Sequence, residues 1–304
     1  MMTILFTMIR REIQEHKLAF IYAPFIVALV LCLVIISVYL GLTDIQTTTF
    51  NFSTDLYDEE FQEDMLQATP ESKTAVIRAG LTVLGLPILL TVGFGLLAYS
   101  LSTFADERKD RSLIFWRSLP VSDLTTVMSK LIFVVIVIPL LVVPNLFLLQ
   151  LISLLSVSVY FVTNDIVSFG YVWTSYFISD WFRIIFSLWA QALWSLPILL
   201  WLMLAGTYFK KPVIGAIVPL VALVVLEGII FKANNIQEFI ENRLGFWSRS
   251  DSFPIEYAEA RVVDISDIYL LLTTQAFWIG ILASVVLIAG IVYTRSTNND
   301  YTVE

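Results

Sequence analysis

Few residues in this chain can do chemistry, and their placement matters more than their number. There is one histidine, His16, and one cysteine, Cys32. That excludes a Cys/His zinc site, a Ser–His or Cys–His dyad within the apolar runs, and an intrachain disulfide. No G-x-x-x-x-G-K-[ST] phosphate loop occurs, so the chain does not bind ATP by that route. Glu227 stands out as a carboxylate inside an apolar run. Such a group reads by default as functional, but so near the end of its run it also reads as one that reaches water or Lys232. Asn145, Gln150 and Gln191 are the notable amides in such runs. Two uses are open to them: lining a pathway, or joining helices at about 0.6 kcal/mol per bond.

The densest chemistry is a charged island, Phe104–Lys130, between two long apolar segments. Asp106, Glu107, Arg108, Lys109, Asp110 and Arg111 are consecutive ionisable residues. Glu107–Ser118 is expected to form a short helix with Leu113, Ile114 and Trp116 in one turn. Leu119-Pro120 ends it, because the residue before proline disfavours the α conformation. Ser122 suits an N-cap and Asp123 the first turn of the next helix. A short helix, a hinge and a long helix would pass a force from a soluble partner into the membrane. The plainer reading is a solvated loop that only sets topology.

Apolar runs position these groups. The 304 residues are 58% hydrophobic and 14% charged, with a mean hydropathy of +0.82. Runs of about 20 apolar residues span a hydrocarbon core as helices. Six are expected, at about 18–40, 79–103, 131–155, 184–207, 213–231 and 269–294. The first is too long for a signal-peptide core and reads as a retained span. The fold class is therefore an all-α integral membrane protein, a single transmembrane domain over 1–304.

Six spans put both termini on one side. With the N-terminus inside, the inner segments hold Arg10, Arg11, Lys17, Arg108, Lys109, Arg111, Arg117, Lys130, Lys210, Lys211 and Arg295 of the 18 basic residues. The positive-inside rule thus favours N-in, C-in. The first outer loop, 41–78, is acidic, and part of it is expected to be helical around Tyr57–Gln67. The second, 156–183, is rich in aromatics and reads as an interfacial or shallow re-entrant segment. The third, 232–268, carries an amphipathic stretch through Ile236, Phe239, Ile240 and Leu244, ended by Gly245. Asn51-Phe52-Ser53 matches a glycosylation acceptor, a pattern that often arises by chance.

Met2, Leu5, Phe6, Ile9 and Ile13 fall at helical spacing, with Arg10, Arg11, Gln14 and Lys17 on other faces. This predicts an amphipathic interfacial helix over 1–17, serving as an anchor or as a contact for a cytosolic partner. Glycines 80, 85, 93 and 95 would let the second span pack closely, and Pro87, Pro139, Pro144 and Pro197 would kink three spans.

The run Glu107-Arg108-Lys109-Asp110-Arg111-Ser112-Leu113, followed by Ser118-Leu119-Pro120-Val121-Ser122, resembles the cytosolic loop after the second span in permease subunits of type-2 ABC transporters. The topology is similar along the whole chain; the motif covers about 104–125. The resemblance implies a non-enzymatic permease subunit in a bacterial inner membrane. It would pair with a second permease copy, the same or similar, and dock a separate ABC ATP-binding subunit. The loop helix would be the coupling helix, with Glu107, Arg108, Arg111, Arg117 and Pro120 near the contact, and the N-terminal helix would be the connecting helix. ATP and Mg would sit on the partner, with no cofactor and no metal on this chain, and no nucleic acid is implied. An exporter of an amphipathic or lipid-like molecule, peptide or drug is the leading expectation. The first outer loop is longer and more acidic than in smaller members, which weakens any assignment of substrate. A non-transporting scaffold or sensor subunit and an intramembrane enzyme are the alternatives.

Overall fold

The structure, a computed structural model, describes residues 2–39, 63–64, 66–109, 121–163, 165, 168–175, 178–244 and 265–297. Most of the first outer loop, the island's 110–120 and the stretch 245–264 lie outside the described residues, and with them Arg111, Arg117, Pro120 and Gly245.

The described chain is helical, with no strand among the described residues. Helix α1 (Met2–Glu15) leads through a π-turn (Leu18–Tyr22) into α2 (Ala23–Tyr39). Then come α3 (Pro70–Lys109), α4 (Asp123–Ile132), a second π-turn (Phe133–Val137) and α5 (Ile138–Thr163). Short α6 (Phe169–Ser175) precedes α7 (Ile178–Trp194), α8 (Leu196–Tyr208) and α9 (Pro212–Ile230). Finally come α10 (Asn235–Leu244), α11 (Ile265–Thr273) and α12 (Gln275–Thr297). Among the described residues, five helical stretches are long and apolar enough to cross a membrane, and the bent pair α7–α8 makes up to six. Large apolar side chains point outward along them, including Phe94, Ile217, Ile229 and Val286 at 54–71% exposure. Hydrocarbon is the solvent that suits such a surface. The chain is an all-α, multi-pass membrane protein.

Several boundaries differ from the expected ones for local reasons. Helix α3 begins at Pro70, a residue well suited to a first helical turn. It runs on through Lys109, so Glu107, Arg108 and Lys109, the start of the expected coupling helix, belong to α3. The fourth span breaks at Ser195, with a bend of 48°. Pro197, in the first turn of α8, cannot donate to residue 193, and α7 ends three residues before it, at Trp194. The sixth span is interrupted at Thr274, whose hydroxyl accepts from the Phe277 N–H (3.3 Å) and caps α12. Pro139 lies two residues past the end of the π-turn Phe133–Val137, where the helix ladder is already widened. The two π-turns meet. Phe20 and Phe133 stack edge to face at 5.7 Å, and Tyr99 closes the cluster at 5.3 Å from Phe133.

The core lies where α8 packs between α3 and α12, and where α2 and α3 flank α5. Fully buried Ile88, Val127, Leu149, Leu200, Met203 and Ile291 belong to it. Gly206 marks the closest approach of α8 to α3: a Cβ there would lie 2.6 Å from the Leu101 carbonyl oxygen. Helix α6 packs Val172 into a second cluster with Ile77, Leu81, Leu154 and Phe161, which ties the aromatic loop onto α3 and α5.

Helix α1 turns its apolar face only partly inward: Leu5, Ile9 and Ile13 are half-buried, and Ile13 packs on the core. Met8 and Glu12 are buried, while Phe6 is 69% exposed. The inward stripe carries a carboxylate because α1 docks on α4, where a cation waits for it.

Candidate functional site

Five charged side chains from four helices form an alternating chain at the end of the bundle that holds the charged island. Glu12 of α1 accepts from Lys130 of α4 (Nζ–Oε1 2.7 Å). Lys130 also reaches Glu107 of α3 (3.0 Å). The other oxygen of Glu107 accepts from Arg295 of α12 (Nη1–Oε2 2.9 Å), and the Arg295 Nε reaches Asp123 at the start of α4 (3.3 Å). Glu12, Glu107, Lys130 and Arg295 are all buried, and Asp123 is half-buried.

The remaining polar atoms are largely satisfied from within. The third Lys130 N–H donates to Thr103 Oγ1 (2.7 Å), so the ammonium has three donors and three acceptors. Tyr99 donates to Glu12 Oε2 (2.8 Å). The Phe104 ring lies 5.3 Å from Lys130 Nζ and 4.8 Å from Arg295 Cζ, within cation–π range of both. His16 stands at the edge, 3.8 Å from Glu12 and edge-on to Tyr99. Its burial lowers its pKa below 6.5, against the pull of Glu12. Three carboxylates and two cations leave one net negative charge. Buried ion pairs add little net stability, because desolvation offsets their attraction, but removing one partner is costly. Such a chain fixes geometry more than it adds stability.

Its position gives it meaning. Glu107 lies two residues before the end of α3, and Asp123 opens α4, capped by Ser122, whose hydroxyl accepts from the Thr125 N–H (3.2 Å). The two stems of the island are therefore joined by one guanidinium from α12, and Lys130 extends the tie to α1. Sequence reasoning singled out Glu107 but not Glu12, Lys130 or Arg295 as members of a site. The available signal was topological: isolated charges of opposite sign at the ends of apolar runs that share one side.

The other expected residues are dispersed. Arg108 donates to the carbonyls that end α8: Gly206 (2.7 Å), Phe209 (2.5 Å) and Tyr208 (3.5 Å). A cation suits that helix terminus. Asn145 donates back to Leu141 O of its own helix (3.1 Å), and Gln150 is buried with its side-chain oxygen unpaired among the described residues. Gln191 donates to the Leu244 carbonyl (3.2 Å). Glu227 accepts from the backbone N–H groups of Asn235 (3.1 Å) and Ile236 (2.8 Å), capping α10 from outside. None of these four bonds to another.

Helix α10 carries a second buried charge. Arg243 is 1% exposed and donates from Nη1 to the Trp194 carbonyl (3.0 Å) and from Nη2 to the Ala276 carbonyl. Those carbonyls flank the helix breaks at Ser195 and Thr274, so one guanidinium ties the two breaks together. The Trp194 ring covers it at 4.1 Å and Phe239 at 4.8 Å. Gly280 leaves room for it, since a Cβ there would fall 2.1 Å from Arg243 Nη1. No carboxylate among the described residues pairs with it, and burial lowers its pKa to about 10. Ala276 stands 19 residues before Arg295 on α12, about 28 Å at 1.5 Å per residue, so this arginine and the ionic chain lie at opposite ends of the bundle.

Comparisons of the chain with protein families, with characterised proteins and with solved structures find no match.

Proposed function

We propose that this chain is the membrane-spanning permease subunit of a type-2 ABC transporter. It sits N-in and C-in in a bacterial inner membrane and works as a pair of identical or similar copies. Separate ATP-binding subunits power it, and it exports an amphipathic or lipid-like molecule, peptide or drug. The observation that supports this reading best is the Arg295 tie between the two stems of the charged island. A soluble partner pressing on 110–120 would displace Glu107 and Asp123 together. Arg295 would carry that shift into α12, and Lys130 with Glu12 would carry it into α1. The missing phosphate loop fits a subunit whose energy comes from outside.

Affinity purification of the tagged chain from its native membranes, with mass-spectrometric identification of partners and an ATPase assay, tests the proposal. The expected result is a co-purifying subunit with a phosphate loop and ATPase activity, whose recovery falls in Arg111→Glu. Arg295→Gln is expected to keep the partner while substrate no longer stimulates ATP hydrolysis. Arg111 is a cleaner probe than Arg108, whose guanidinium already caps α8. Recovery without any phosphate-loop subunit would overturn the proposal.

A further inference from the structure

Near the island end, α8 and α12 leave a cleft of about 230 Å³ between them, walled by Trp201, Leu204, Tyr208, Phe209, Gly290 and Tyr293. Its walls are almost wholly apolar, and it opens on a lipid-facing flank where Tyr208 is 60% and Tyr293 67% exposed. Among the described residues, neither tyrosine hydroxyl has a hydrogen-bond partner. The chain then turns through Lys210 and Lys211, both exposed, and neither pairs with a carboxylate among the described residues.

We propose that this cleft binds one anionic glycerophospholipid, with an acyl chain between α8 and α12 and its phosphate on Lys210 and Lys211. The apolar walls match a hydrocarbon chain, the two tyrosines sit at headgroup depth, and the lysines supply the complementary charge. The volume is below the range typical for pockets that enclose drug-sized molecules, which favours part of one chain over a transported substrate. Gly290 keeps the cleft open. A Cβ there would meet only the Leu204 methyls, at 3.8 and 3.9 Å, so a larger side chain would grow into the cleft without clashing at its root. The inference needs the chain to lie in a membrane and does not depend on a partner ATPase.

The test is native mass spectrometry of the full chain, purified in detergent and incubated with equimolar phosphatidylglycerol and phosphatidylcholine. Two lysines near the headgroup favour the anionic lipid by roughly 10- to 30-fold in retained adduct. Lys210→Gln with Lys211→Gln is expected to abolish the preference. Gly290→Leu is expected to abolish retention of either lipid with the lysines intact, and Gly290→Ala to leave it unchanged. Melting of each variant checks the fold, and if Gly290→Leu is unstable, Leu204→Phe fills the same space from the opposite wall. Equal retention of the two lipids, or a preference that survives both the cleft-filling and the lysine variants, would overturn the proposal. So would a dimer that binds no lipid and dissociates when the cleft is filled.

Discussion

The two ends of this bundle bury charge in opposite ways. At the island end, Glu12, Lys130, Glu107, Arg295 and Asp123 neutralise one another in a chain that crosses four helices. At the far end, Arg243 has no carboxylate partner among the described residues and is held by two backbone carbonyls and two aromatic rings. In the chain, every charge depends on its neighbour's charge. Around Arg243, what matters is the forked shape and the donors, since the acceptors are neutral. The island end should therefore be sensitive to charge, and the far end to geometry.

The sharpest way to break the contrast is Lys130→Met. It leaves Glu12 buried without a cation and Glu107 with Arg295 alone, and removing one partner of a buried pair costs about 3–5 kcal/mol. Thermal unfolding of the purified protein is expected to show that loss. Adding Glu12→Gln to Lys130→Met should recover part of it, because the double variant buries one uncompensated charge fewer. A double variant as unstable as the sum of the two singles would mean that the chain is a set of independent contacts.

Arg243 calls for the converse test. Gly280→Ala leaves its charge untouched but occupies its seat, and overpacking of this kind costs about 1–3 kcal/mol. Arg243→Lys keeps the charge but cannot reach both carbonyls with one planar fork, so it should lose about as much as Arg243→Gln. If lysine restores wild-type melting, charge governs this end too and the contrast collapses.

A milder probe is Glu227→Gln, which weakens the cap on α10 and so loosens the helix that delivers Arg243. Loss of a capping group costs about 0.5–2 kcal/mol. Hydrogen exchange is expected to rise in Asn235–Leu244 and to leave the island end unchanged.

How legible these features were differs between the two ends. The apolar runs are readable because their length matches a bilayer, and Ser122 is readable because a cap acts within one turn. Helix α10 showed itself through Ile236, Phe239, Ile240 and Leu244, but Arg243 did not, since its partners are backbone carbonyls 33 and 49 positions away. Carbonyls leave no mark in a sequence. Glu12 was hidden for another reason. Among Arg10, Arg11 and Gln14 it looks like one more polar residue, and only the docking of α1 on α4 turns it inward. Pro197 was readable as a disturbance, although it starts a new helix after a break instead of bending a continuous one.

The smallest expected effect lies at the rim of the ionic chain and separates its charge from its shape. His16 faces Glu12 and Glu15 from its own segment, Lys130 from α4, and Tyr99 and Asp106 from α3. Desolvation lowers its pKa in the folded protein below its ordinary 6.5, so the folded state holds it neutral more firmly than the unfolded state does. Its contribution is fully present above about pH 6.5 and is lost as pH falls through the lowered folded value, because in that window the unfolded chain binds more protons. Stability should therefore decline on acidification from pH 7, and His16→Gln should flatten that part of the profile while leaving stability at pH 8 nearly unchanged. The opposite slope, with the protein gaining stability as pH falls, would mean that the proton completes the chain. A protonated His16 would then balance the third carboxylate, and the net negative charge of the site, not the burial of the imidazole, would control this corner of the bundle.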